Sequence, residues 1–256
     1  MPGPVQVTEA FELLRQGRDA EARALLERVV QDDNADAAVL ETLGDVREKL
    51  GDPTGAIDAY LGAVTHLRVR GELQRALGVL ELALIVDENS IDARCEAAAV
   101  REEKGDVAGA WRELVAAAVA AGHATRTTDE AARKVEPAVL GMSTAVPNAA
   151  IALALIDGLA PRDAAAAARI ARALAGSLWS RRLADDARAV EARATALESA
   201  RAADSDERSP LARLLEERED PVPKTDPGAP AFADDTAEHA RDDDEDVDDD
   251  TTDVEP

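Results

Sequence analysis

The sequence predicts an all-α protein of stacked antiparallel helix pairs, on three observations: glycines that recur with an alanine at fixed distance behind them, an interior supplied by small side chains, and few aromatics. The glycines are Gly17, Gly51, Gly71 and Gly105. Five residues after each stands Ala22, Ala56, Ala76 or Ala110, and four further stands Leu26, Tyr60, Leu80 or Leu114. Glycine accepts the positive φ of a helix C-terminus, so each marks a turn between two helices. The alanine lets the second helix close on the first, and the larger residue one turn on fills the space beside it. Apolar residues reach 46% while aromatics are only 2% of the 256 residues, which favours thin helical layers over a wide core.

The expected helices follow in order: 5–16, 19–31, 37–49, 53–69, 72–86, 91–103 and 107–121. Asp52-Pro53 pairs a capping acid with a proline suited to the first helical position, and Asn89-Ser90 precedes the helix opening at Ile91. One interval departs from the rest, because Gly51 and Gly71 are 20 residues apart where Gly17–Gly51 and Gly71–Gly105 each span 34. That leaves room for one helix across 53–69, which must close one unit and open the next. Its apolar residues suit this, with Ile57, Tyr60, Leu61, Val64 and Leu67 on one stripe and Ala56, Ala59 and Ala63 on another. From His123 to Ala150 the prolines Pro137 and Pro147 predict short or kinked helices. Helicity is expected again from about Pro161, with Leu174-Ala175, Leu178, Ala187 and Ala194 as a further weak unit. A charged helix over 183–201 would serve as the cap.

Net charge is −24, and residues 201–256 hold 21 Asp+Glu against 6 Lys+Arg, or −15. This stretch cannot bury enough apolar surface to offset its ordering entropy, and is expected to be disordered apart from a short helix near 210–219. The domain expectation is therefore repeats over 1–122, further hairpins and a cap over 123–203, and an acidic tail over 204–256. A single cysteine excludes an internal disulfide framework. The N-terminus does not read as a secretory signal, and no run of about 18 uninterrupted apolar residues suggests a membrane span. A cytoplasmic setting is expected.

At the glycine, alanine and large-residue positions the chain resembles the tetratricopeptide repeat, as a divergent, bacterial-type member. Residues 37–70 match best, through Leu40, Leu43-Gly44, Gly51, Ala56, Tyr60 and Ala63, and depart at Arg47 and Arg68. The resemblance implies a right-handed α-solenoid whose concave face binds other proteins. The family's groove positions fall on Ala38, Glu41, Asp45, Glu48 and Lys49, and in the unit opened by Ile91 on Asp92, Cys95, Ala99, Glu102 and Glu103. A mainly acidic groove disfavours the acidic chaperone tails that some members grip, and favours a basic or neutral peptide.

Catalysis is not expected. His66, His123 and His239 lack a convergent ligand spacing, so no metal is expected. Cys95 has no neighbour that would lower its pKa, and a small buried role suits it better than reactivity. GDPTGA at Gly51 lacks the Gly-Lys-Ser/Thr ending of a phosphate loop. The acidic run Arg241–Asp253 has Val247 and Asp253 where a calcium loop needs glycine and glutamate. No cofactor is implied. The leading expectation is a non-catalytic adaptor or assembly scaffold, with no nucleic acid or membrane bound directly. The alternative is a regulator whose acidic tail mimics nucleic acid on a basic partner.

Overall fold

The computed structural model describes residues 3–32, 35–123 and 128–216, and among them it contains eleven α-helices and no strand. The chain divides into two units, 1–211 and 212–256, of which the second is described only at 212–216, the end of the last helix. The helices are α1 (Gly3–Arg15), α2 (Asp19–Gln31), α3 (Ala37–Lys49), α4 (Pro53–Val69), α5 (Leu73–Val86), α6 (Ile91–Glu103), α7 (Val107–His123), α8 (Thr128–Leu140), α9 (Ala149–Leu159), α10 (Ala164–Ser180) and α11 (Ala184–Glu216). No helix among the described residues is long and apolar enough to cross a membrane.

Five turns share one design. The N–H donors of Arg18, Asp52, Glu72, Asp106 and Leu183 reach back to the carbonyls of Leu13, Arg47, Leu67, Arg101 and Leu178 at 2.8–3.1 Å. The residue before each donor lies at positive φ: Gly17, Gly51, Gly71 and Gly105 at 74–85°, and Arg182 at 61°. These are the helix ends that a left-handed residue closes. Side chains then start the next helices: the carboxylates of Asp36, Asp52, Asp106 and Asp163 accept the N–H of Val39, Gly55, Gly109 and Ala166, and Asn148 accepts that of Ile151.

The predicted single helix is present. α4 runs unbroken through Pro53–Val69 and packs on both α3 and α5. Ala22, Ala56, Ala76 and Ala110 are fully buried, as are Leu26, Tyr60 and Leu114. Each helix from α1 to α7 packs on the next, α9 packs on α10, and Arg172 of α10 meets Glu198 of α11 at 2.7 Å; the next-but-one contacts sort the helices into two rows. In the even row α4 touches α6, α6 touches α8 and α8 touches α10. In the odd row α7 packs on α9, Glu41 of α3 meets Arg75 of α5 at 2.8 Å, and Arg193 of α11 meets Asp157 of α9 at 2.7 Å.

Two differences from expectation lie beyond α7. Helicity resumes at Ala149, well before Pro161, because Pro147 stands just ahead of the capping Asn148 and so ends nothing. Here Gly122 and Gly158 let α7 and α9 approach closely, since a Cβ on Gly122 would strike the Gly158 carbonyl oxygen. Pro137 does sit inside a helix, α8, near its end. α11 continues past Ala203 to Glu216, so the expected change of class after 203 is not a helix end. The acidic run Arg241–Asp253 and the rest of the expected tail from 217 onward lie outside the described residues.

Candidate partner-binding face

α3 turns Leu40, Leu43 and Val46 into the core and leaves Glu41, Asp45 and Glu48 at i, i+4 and i+7 on another side. Its charges are sorted by direction. The bases face α2, Arg47 pairing with Glu27 at 2.9 Å and Lys49 with Asp19 at 2.6 Å. The acids face α4 and α5: Glu41 meets Arg75, which also pairs with Glu72 at 2.8 Å, and Asp45 accepts the Tyr60 hydroxyl at 2.7 Å. Glu48 stands 3.5 Å from that hydroxyl. Burial, then the bond to Asp45, holds the Tyr60 phenol well above its ordinary pKa. Asp45 and Glu48 keep exposed surface, and their neutral donor leaves their charge uncancelled.

The acids expected in the second groove unit have other neighbours. Asp92 pairs with Lys134 of α8 at 2.7 Å, and Glu103 takes the guanidinium of Arg68 on α4, which also meets Glu96 at 2.6 Å. Glu102 accepts the Ser143 hydroxyl at 3.0 Å and both the N–H and hydroxyl of Thr144 at 2.7 Å. Burial raises its pKa, but the Thr144 and Ser143 bonds outweigh that and hold it below the ordinary carboxylate value. Cys95 is largely buried in this packing, which with Asp92 and Glu96 nearby pushes its thiol up to about 12. Ala99 is half-buried on the same helix.

The two predicted sets are therefore not brought together. With one helix in the 20-residue interval, α6 falls in the even row with α4 and α8, while α3 shares the odd row with α5. The face beside the α3 acids is built instead by α5, which sequence spacing alone did not single out. Its outer side carries Arg75, Gly78, Leu82 and Ile85, with Leu82 40% and Ile85 74% exposed. The signal was present in LQRALGVLELALIV, which holds more large apolar residues than one buried stripe needs.

A hollow of about 600 Å³ opens elsewhere, between α2, α3 and α4, over Val30, Leu40, Leu43 and Gly62. Arg47 at its edge is already committed to Glu27 and to the Gly55 carbonyl at 2.9 Å. His66 and His123 are exposed, and among the described residues no group of three or more His, Cys, Asp or Glu is placed to hold a metal ion. The GDPTGA segment is a turn and helix start, with Asp52 as its cap.

No family model matches the sequence, and no curated protein matches it significantly. Among solved structures the chain is similar to MamA, at 16% identity over 75% of this chain and 96% of that one, with a TM-score of 0.29. It is also similar to a tetratricopeptide repeat protein from Parabacteroides merdae, at 13% identity over 76% and 92%, with a TM-score of 0.24. A thermophilic TPR protein of Thermus thermophilus aligns at 19% identity over 75% and 98%, with a TM-score of 0.23. At such scores the stacked-pair architecture rests on the helix packing of this chain itself.

Proposed function

We propose that this chain is a non-catalytic protein–protein adaptor that receives a basic or neutral segment of a partner on the face formed by α3 and α5. The supporting observation is the sorting of charge on α3. Arg47 and Lys49 are turned to α2 and neutralised there, while Glu41, Asp45 and Glu48 form a stripe on the side of α4 and α5, Glu41 opposed by Arg75 and the other two beside the neutral Tyr60 hydroxyl. A one-signed stripe steers an oppositely charged partner and fixes its register more than it adds affinity. The setting proposed is the cytoplasm, in keeping with a lone, largely buried thiol.

The test is kinetic. A partner captured with the native chain and identified by mass spectrometry is measured against the triple variant Glu41→Lys, Asp45→Lys, Glu48→Lys at two salt concentrations. Weaker binding with a flatter salt dependence is expected. Unchanged binding by the triple variant, with loss on deleting residues 222–256, would move the function to the acidic tail and to the nucleic-acid-mimic reading.

A further inference from the structure

The apolar side of α5 is a feature that the charge stripe does not explain. Leu82 and Ile85 stand out from a helix in which Leu77, Val79 and Leu80 are buried and Leu73, Leu84 and Val86 partly so. One turn before Leu82 lies Gly78, exposed in mid-helix, with no atom within 4 Å of where its Cβ would be. Glycine here costs the helix about 1 kcal/mol relative to alanine. Nothing in the fold asks for it, since its φ is not positive and no neighbour approaches. Gly122, near the end of α7, is by contrast used for a close approach of α9. Gly78 offers the same approach to something outside the chain, as a saddle between Arg75 on one side and Leu82 and Ile85 on the other.

Charge indicates what fits. The exposed Glu81 lies beside Leu82 on α5, and the Glu41–Arg75 pair sets α5 in register with α3. At equal rise per residue Asp45 and Glu48 then run level with the Gly78–Leu82 turn. An apolar saddle with acids on its flank suits an amphipathic helix that has a small residue at the crossing, aliphatic residues beside it and Lys or Arg along one edge.

We infer that the outer face of α5 is a helix-docking surface, in which a basic amphipathic helix of a partner protein crosses over Gly78 and packs on Leu82 and Ile85. This rests on the adaptor reading and specifies the partner for that face. A lipid surface is the competing occupant, and the acids beside the saddle oppose it at anionic membranes.

The full chain is titrated with a synthetic helix of roughly 20 residues, long enough to be helical, with Ala and Leu on one face and Lys on the other. A companion peptide carries Glu in place of Lys. Saturable binding of the Lys peptide and none of the Glu peptide is expected. Gly78→Leu should weaken the Lys peptide about tenfold or more, as blocking the centre of an interface does. Gly78→Ala should weaken it less while raising the melting temperature, which separates lost docking from lost folding. Equal affinity of native chain and Gly78→Leu, no binding of the Lys peptide, or binding of the native chain to phosphatidylcholine vesicles would each overturn the inference. If the α3 reversal weakens the captured partner but Gly78→Leu leaves that partner's binding unchanged, the adaptor reading stands and the helix-docking face fails alone.

Discussion

The ring of Tyr60 occupies the space where a side chain on Gly44 would stand. A Cβ on Gly44 would run into Cε1, Cδ1 and Cζ of the ring, which is fully buried between α3 and α4. Gly44 and Gly78, both inside helices, thus make opposite demands. Gly44→Ala should lower stability by about 1–3 kcal/mol, overpacking outweighing the gain in helix propensity. Gly78→Ala should raise it by up to about 1 kcal/mol. Thermal melts of the two variants check both signs.

The Tyr60 hydroxyl ties that ring to Asp45, and Tyr60→Phe should cost about 1.5–3 kcal/mol, the range for a bond to a charged acceptor. The folded-state pKa of Tyr60 is raised, first by burial and then by Asp45 and Glu48. The proton is therefore held more tightly in the folded state, so this contribution is fully present below the unfolded value of about 10 and fades as pH rises through the raised one. The melting-temperature gap between native chain and Tyr60→Phe should narrow above pH about 10. A gap constant from neutral to pH about 11 would mean the phenol titrates alike in both states.

Ala76 of α5 is fully buried in the core that α5 shares with α4 and α6. Ala76→Glu must bury an unpaired carboxylate or part the helices, and should cost about 3 kcal/mol or more. An unchanged melting temperature would show that α5 does not pack as described.

The region holding these residues was the most legible in the sequence. From α2 to α7 the helix bounds were readable to within a residue or two, because Gly17, Gly51, Gly71 and Gly105 mark four of the turns, and Asp36, Asp52-Pro53, Ser90 and Asp106 mark the starts of α3, α4, α6 and α7. The row of each helix was harder to read. The 20-residue interval disclosed α4 as one helix, yet carrying family positions onto α6 assumed it would fall in line with α3, whereas counting one helix per interval places it with α4. Past His123 the punctuation weakens: Pro147 precedes a cap instead of breaking a helix, and Arg182 takes the place that glycine holds in the other four turns.

Glu102 holds the segment after α8 through three bonds to Ser143 and Thr144. Because its folded pKa is lowered, its contribution is present above the ordinary value of about 4.3 and is lost as pH falls through the lowered one. At neutral pH Glu102→Ala should leave the Thr144 amide without its acceptor. Hydrogen exchange should then speed at Thr144 while amides within α6 stay protected. Acceleration spread over α6 would instead make Glu102 a support for the whole helix.

Arg182 is the remaining strained position, with φ at 61° where the four comparable turns use glycine. The left-handed conformation costs an ordinary L-residue roughly 1–2 kcal/mol, which glycine avoids, although glycine adds freedom to the unfolded chain. Arg182→Gly should therefore stabilise the α10–α11 turn by a net fraction of that, about 0.5–1 kcal/mol. Gly105→Ala, which puts a Cβ into the same backbone geometry, should destabilise by about 1 kcal/mol although nothing lies within 4 Å of the new atom. The pair weighs conformation over packing, because Arg182 is exposed and a Cβ on Gly105 meets open space. If Gly105→Ala destabilises while Arg182→Gly melts like the native chain, the α10–α11 turn does not share the left-handed closure of the other four.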